Sequence, residues 1–425
     1  MLDVQIVQTM QQTDVYVVGV SRHQQTVTNW AQTVEMFGLP LDDWIKSGDI
    51  DLTIGACTVF PTKTGCVLCV GMDHRKQLHS DQMATIFETI GRYMMKRKWR
   101  TATLFIETFM TPMFSPQQLC TSAVENIAHG SYVIPRYQTF SNEADVCIEQ
   151  LYFVTAQVDT VERAVEKSEW TRRFRLIADE PRNILTSARV CETIETFCAQ
   201  HHLPVHHFTY DMLATLGFGA LCAAYEQDVH VLLVNATLQA QHAVTATMML
   251  GESMMPLFNA CLMTAQYDLM GVFVFGTPKS LLPHTVITTM IGKTLEIGQG
   301  AHAKDIAITD VLAFAATQRA KSITSVDNLH ADHLALYGAE AVIAFSNQPI
   351  AQPTTVHVQT MKPTSARQAD VLVAHHETAR TLKRANLYHL FAPVPWCHLE
   401  LPVDIRQQFI HLEVRFRNLI KEETT

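Results

Sequence analysis

Between Gly292 and Leu312 the chain reads GKTLEIGQGAHAKDIAITDVL: a strand, a glycine-marked loop and a helix. A loop of that kind at the carboxyl end of a strand is where an α/β protein usually holds a ligand or a metal. This loop, Gly298 to Ala303, offers His302 but no carboxylate. Other residues could do chemistry. HHLPVHH (His201 to His207) could bind a metal on composition alone, but its place in a helix-to-strand connection favours solvated loop histidines. LHADH supplies His330, Asp332 and His333, and AHHET supplies His375, His376 and Glu377 without the second histidine that H-E-x-x-H requires. Cys66 and Cys69 form a C-x-x-C by count, but within GCVLCVG they point to opposite faces of a strand and read as buried cysteines. No G-x-S-x-G elbow, phosphate loop or dinucleotide fingerprint is present. One basic cluster, Lys96, Arg97, Lys98 and Arg100 around Trp99, ends a helical stretch. It reads either as the usual complement to a helix dipole or, as a minority reading, as a nucleic-acid contact.

The elements that must position these groups follow from the pattern. At 425 residues, 48% hydrophobic and 17% charged, the chain is globular and long enough for two domains. A formal net charge of -9 argues against nucleic acid or anionic membrane as the main partner. No run is long and apolar enough to cross a bilayer, and the first twenty residues lack the pattern of a secretory signal. Ten scattered cysteines suit a reducing compartment, so the expected location is intracellular, cytoplasmic or mitochondrial. DVYVVGV, GCVLCVGM and TATLFIE read as buried strands; between the last two, Met83, Ile86, Phe87, Ile90 and Met94 line one face of a helix, giving a parallel βαβ unit. A polar helix then runs to Pro181 as a link. HVLLVNA, AVTATMMLG, MGVFVFG, HTVITTMIG, TLEIG and AEAVIAF read as strands of a second α/β domain, and a Pro/Thr/Gln-rich stretch from Asn347 to Asp370 reads as an exposed loop. The expected division is residues 1–158, a linker helix at 159–180, and residues 181–425.

The order of these segments resembles the leucyl aminopeptidases, the two-metal cytosol aminopeptidase family, across nearly the whole length. LIADEPRNILTSARV is similar to the family's N-x-P-x-N-x-L-T-P and keeps Pro181 and Asn183. TTMIGKTLEIGQGAHAKDIAITDVL lies over T-S-x-S-G-K-T-V-E-V-x-N-T-D-A-E-G-R-L-x-L-x-D-A-L and keeps Gly292, Lys293, Glu296 and Asp310. Asp332 falls on a structural aspartate, and LALYGAEAVIAF, with Gly338, resembles A-T-L-T-G-A. The resemblance implies an α/β fold of two domains, a macro-like N-terminal domain and an aminopeptidase-like C-terminal one.

It also implies two divalent cations held by carboxylates, with basic groups beside them, to make a hydroxide and polarise a peptide carbonyl. Those positions are changed. Ala301 and Ala303 stand at the aspartate and glutamate ligands, Asp305 at the arginine, and Glu252, in LGES, at the ligand lysine. F-D-S-G-G has no counterpart, since MMPLFNACLMTAQ runs on as a helix, and the C-terminal domain looks shortened. The sequence therefore predicts a degenerate member with no enzymatic activity, no catalytic or metal-ligating residues and no cofactor. Its expected role is that of a structural or scaffold subunit in a homo- or hetero-oligomer or a larger assembly. The alternatives are a non-hydrolytic peptide-binding or regulatory subunit of an active relative, and a nucleic-acid-associated subunit.

Overall fold

The computed structural model describes residues 2–22, 30–62, 65–134, 137, 147–237, 240–298, 300–330, 334, 341–347, 356–359, 369–373 and 394–423. The chain divides into two compact units, Met1–Leu176 and Ile177–Thr425. Both are mixed α/β, the class the sequence predicts.

In the first unit β1 (Asp3–Val7), β2 (Val15–Val20), β3 (Cys57–Pro61), β4 (Cys66–Gly71), β5 (Thr101–Phe105) and β6 (Gln150–Val154) form one sheet in the order β1-β6-β5-β2-β4-β3. All neighbours are parallel except β3 with β4. Every residue of β2 is buried. Val15 and Val17 face one core; Tyr16, Val18 and Val20 face another, so helices cover both sides of the sheet. One layer is α3 (Ser80–Arg97) with α4 (Pro116–Gly130); the other includes α1 (Trp30–Phe37) and α2 (Leu41–Ser47). Cys69 is buried on the α1–α2 side of β4, as the strand reading of C-x-x-C requires. The polar helix α5 (Glu162–Ala178) packs onto this unit: Trp170 and Phe174 are buried, and Lys167 pairs with Glu125 of α4 at 2.9 Å.

The second unit contains α6 (Ser187–Gln200), β7 (Val205–Thr209), α7 (Tyr210–Thr215), α8 (Gly219–Ala224), β8 (His230–Val234), β9 (His242–Met249), α9 (Met255–Tyr267) and β10 (Met270–Gly276). There follow β11 (Val286–Thr288), β12 (Thr294–Ile297), α10 (Ala303–Thr317), β13 (Ser322–Asn328), β14 (Val342–Ser346), β15 (Val356–Gln359), β16 (Val371–Val373), β17 (Trp396–Leu401) and α11 (Ile405–Glu423). Eight strands form the main sheet in the order β15-β14-β17-β13-β9-β10-β8-β7, and β11-β12-β16 form a small one. The central strands β17, β13, β9 and β10 are parallel, so their carboxyl ends open on the same edge. The apolar helix α10 packs against β9 and α8 on one face, and α9 against α11 on the other. The stretch from Asn347 to Asp370 is not loop throughout, because β15 lies inside it and pairs with β14.

Candidate active site: an internal ammonium between carboxylates

Three elements of the second unit converge at the carboxyl ends of β9 and β13. After β9 the chain turns at Gly251, whose φ of +99° suits a residue without Cβ. Its carbonyl accepts from Arg182 at 2.7 Å, and the next residue is Glu252. Neighbouring β13 brings Asp327 to its last turn of backbone, and the first turn of α10 brings Lys304 and Asp305. The Lys304 ammonium is 2.7 Å from Asp327 Oδ1 and 2.9 Å from Glu252 Oε2. It is 4% exposed. Burial opposes its charge, but Asp327 and Glu252 outweigh that and raise the pKa above the ordinary lysine value.

A second rank of ionisable groups surrounds the ammonium. Asp305 is pushed up by burial, against the pull of His330 and His302. His330 approaches the buried Glu400 of β17 at 3.8 Å and lies 5.8 Å, ring to ring, from His302. His398, also of β17, meets Ser325 Oγ at 3.1 Å and is held below the ordinary histidine range by burial. Asn328 donates its backbone N–H to Asp327 at 2.6 Å and its side-chain amide to the Ser253 carbonyl at 3.1 Å. Burial, with Asp327 and Glu252 nearby, keeps the Tyr225 hydroxyl well above its usual pKa. A cluster of this kind, with charges shifted by burial and by each other, is a functional-site candidate.

The residues singled out in the sequence fall on and around this site unevenly. Glu252 and Asp305 belong to it. Ala303 is buried and Ala301 partly buried against the apolar core beneath α10. Asp310 accepts from the backbone of Leu221 at 3.0 Å and Met290 at 2.8 Å, and burial raises its pKa to about 6. It therefore tethers α8 and the β11–β12 turn to α10. In that turn Gly292 adopts φ +78°, and the Lys293 carbonyl accepts from Thr289. Glu296 is buried on β12, 3.7 Å from His284. Pro181 closes a turn by accepting from Ile184 and Leu185, and Asn183 is exposed within it. Asp332, Gly338, His333, His375, His376 and Glu377 lie outside the described residues.

The basic patch of the first unit is less uniform than its sequence. Arg97 turns back onto Tyr93, Lys98 is the left-handed cap of α3, Lys96 is in its last turn, and Arg100 pairs with Glu149 at 2.9 Å. The HHLPVHH histidines need correction as well. His206 and His207 are on β7 rather than in a loop, and the His201 ring packs on Phe197 at 4.3 Å.

The two divalent cations that the resemblance implies do not fit this donor set. Glu252 and Asp327 are already engaged by a cation that belongs to the chain, and Ala301 and Ala303 offer no donor atoms. Among the described residues, three histidine, cysteine or carboxylate ligand atoms close enough to share one ion occur elsewhere, at Cys191, His207 and His230.

Comparison with known proteins agrees with the architecture. No family model matches the chain. A probable cytosol aminopeptidase of Exiguobacterium sibiricum is 23% identical over 371 residues, covering 79% of this chain and 76% of that protein. One of Bacillus subtilis is 23% identical over 227 residues, 51% of this chain and 45% of that one. Among solved structures, a mutant of tomato leucine aminopeptidase superposes with a TM-score of 0.75 at 14% identity, covering 94% of this chain and 92% of its own. The bottromycin maturation enzyme BotP, also solved in complex with Mn, gives 0.68 at 15% identity, with 92% of each chain covered. The fold is that of the leucine aminopeptidases, and the sequence is similar to those of probable cytosol aminopeptidases.

One expectation is thereby overturned. The sequence reading predicted a chain without enzymatic activity, but its relatives are named aminopeptidases and its fold is theirs, which points to an enzyme. That reading treated each changed ligand position as a loss. It missed Lys304, Asp327, His398 and Glu400, which share one site only once β13 and β17 are paired.

Proposed function

We propose that the chain is an aminopeptidase-type hydrolase that takes peptides by their free amino end, with the Lys304 ammonium as the fixed positive charge of its site. The observation that carries this reading is the Glu252–Lys304–Asp327 group at the carboxyl ends of β9 and β13. Acids outnumber the ammonium there, and Glu252 is the member that reaches solvent, with its side chain 31% exposed. Such an excess suits the α-ammonium of an incoming peptide. A preorganised ammonium in a water-poor pocket stabilises negative charge growing on a carbonyl oxygen. Asp305, its pKa raised by burial, is the group placed to carry a proton. The names and coverage of the sequence relatives support the same assignment. The test is release of fluorophore from aminoacyl amides, free and N-acetylated. Hydrolysis that needs the free amine, survives a chelator and falls at least about 100-fold in Glu252→Gln is expected. Turnover of neither substrate would refute the assignment.

A second reading concerns assembly: the chain works as a subunit of a homo-oligomer inside the cell, in the cytoplasm or a mitochondrion. Family resemblance supports it, as do the exposed apolar side chains Met212, Leu216, Leu282, Val286 and Ile291 of the second unit. Among the described residues no helix is long and apolar enough to cross a membrane. Native mass spectrometry tests this reading, and a single-chain mass at micromolar concentration would refute it.

A further inference from the structure

The second unit holds another cluster, on the far side of the sheet edge from α10. Cys191 lies in the second turn of α6, His207 in the middle of β7 and His230 at the start of β8. β7 and β8 are antiparallel with His207 opposite Leu232 and Thr209 opposite His230, so the two histidines are diagonal neighbours on one face. Alternation sets that face. Phe208, Val231 and Leu233 turn to the α10 core, which leaves His207 and His230 facing α6. Cys191 is the α6 residue that meets them, its Sγ 3.8 Å from both Nδ1 and Nε2 of His207. His207 Nε2 is 2.7 Å from His230 Nδ1. All three ligand atoms lie within 4.8 Å of one another. One helical turn beyond Cys191, Glu195 brings Oε1 to 3.4 Å from His207 Nδ1.

We propose that Cys191, His207 and His230 form a binding site for one zinc-class divalent cation, with Glu195 as the positioning residue. One sulfur and two imidazole nitrogens are the donor set that borderline-soft cations select, in preference to the hard ions that want oxygen. The separations are near those required. Zinc at ~2.3 Å from sulfur and ~2.0 Å from nitrogen in a tetrahedron puts S and N about 3.6 Å apart and N and N about 3.3 Å apart. The sulfur is at that distance, and the two rings need to part by about half an ångström, a rotation that their partial exposure permits. A carboxylate on the remaining nitrogen of a ligating histidine fixes its tautomer and aims the other nitrogen at the metal. Glu195 stands there for His207, its Oε1 3.4 Å from Nδ1 and so placed to accept Nδ1–H when the ring ligates through Nε2, which is turned to His230. On binding, the Cys191 thiol proton passes to solvent and the sulfur becomes the anionic ligand.

The cation has a way in. β7 is the edge strand of the sheet and the His207 side chain is 32% exposed, whereas Cys191 is 4% exposed and forms the floor. Three protein donors leave the fourth corner on the solvent side for water or a small anion, so the site is open rather than sealed.

Cobalt(II) titration of the full chain, followed by thiolate-to-cobalt charge-transfer absorption, tests the proposal. The expected result is saturation at one cobalt per chain, displacement by zinc, and binding of manganese at least about 10-fold weaker. Cys191→Ser abolishes the charge-transfer band, and Glu195→Gln, an exposed change that spares the fold, weakens binding about 10-fold. Glu252→Gln, at the other site, leaves both unchanged. Absence of a saturable band, or a band that persists in Cys191→Ser, overturns the proposal without touching the peptidase assignment.

Discussion

Replacing Lys304 by methionine keeps most of the side-chain volume and removes only the charge. Two carboxylates then face each other across the space the ammonium held. Asp327 is the more costly to leave unpaired, because its side chain is 7% exposed; Glu252, at 31%, recovers much of its hydration. Breaking a buried pair by removing one partner costs about 3–5 kcal/mol. Asp327 keeps the Asn328 N–H, and Glu252 adds little because solvent screens it, so about 3 kcal/mol is expected. In a unit the size of Ile177–Thr425 this lowers the melting temperature by roughly 6–12 °C. The assay is thermal and urea unfolding of the wild type, Lys304→Met, and Lys304→Met combined with Asp327→Asn. The double variant should recover most of the loss, because the orphaned charge is removed with its partner. The sign with pH is fixed as well. A lysine held above its unfolded value contributes fully below about pH 10 and loses that contribution only as pH rises through the raised value, so the deficit should be flat from about pH 6 to 9. A loss below about 1 kcal/mol, or no recovery in the double variant, would show that the three groups do not interact as described.

Asp310 gives the opposite pH signature. Its folded pKa of about 6 lies above the unfolded value, so it binds its proton more tightly in the folded state. Stability should therefore fall by on the order of 3 kcal/mol as pH rises from about 4 to about 6, a slope that Asp310→Asn removes in urea melts. The same variant loses one of two acceptors for the Leu221 and Met290 N–H groups and should cost about 1–3 kcal/mol near pH 7. Gly219→Ala drives a Cβ into the Thr288 carbonyl oxygen, backbone against backbone, so a loss of at least 2 kcal/mol is expected in the same melts. Arg100→Ala breaks an exposed pair with Glu149 and should change stability by less than about 1 kcal/mol.

Much of the frame was legible because it is apolar. β2, β4, β9 and β10 are near-continuous hydrophobic runs of the sort that parallel strands covered on both faces require. α10, buried almost all round, is as plain. The site was less legible for the same physical reason. β13 reads SITSVDN, and its buried Ser325 and Asp327 break the apolar pattern because they line or approach the charged cluster. Lys304, between an alanine and an aspartate, looks like an ordinary surface lysine; only its direction from the first turn of α10 takes it inward. Cys191, His207 and His230 lie on three elements, and no spacing along the chain foretells that β7 and β8 pair with their histidines on one diagonal. The signal available was HHLPVHH itself, once its last residues are read as an alternating strand rather than a loop.

A cation carried on a side chain has no dissociation constant. The Lys304 charge arrives with every copy of the chain as it is synthesised, in a ratio of one to one, and it cannot be starved by scarcity, stripped by competing chelators or exchanged for a wrong ion of similar radius. The corresponding restriction is that an ammonium carries a single charge on a fixed tether and donates three hydrogen bonds. Two of those directions are taken by Asp327 and Glu252. A carbonyl oxygen that the ammonium polarises must meet the third, so its direction of approach is set by the covalent geometry of one residue.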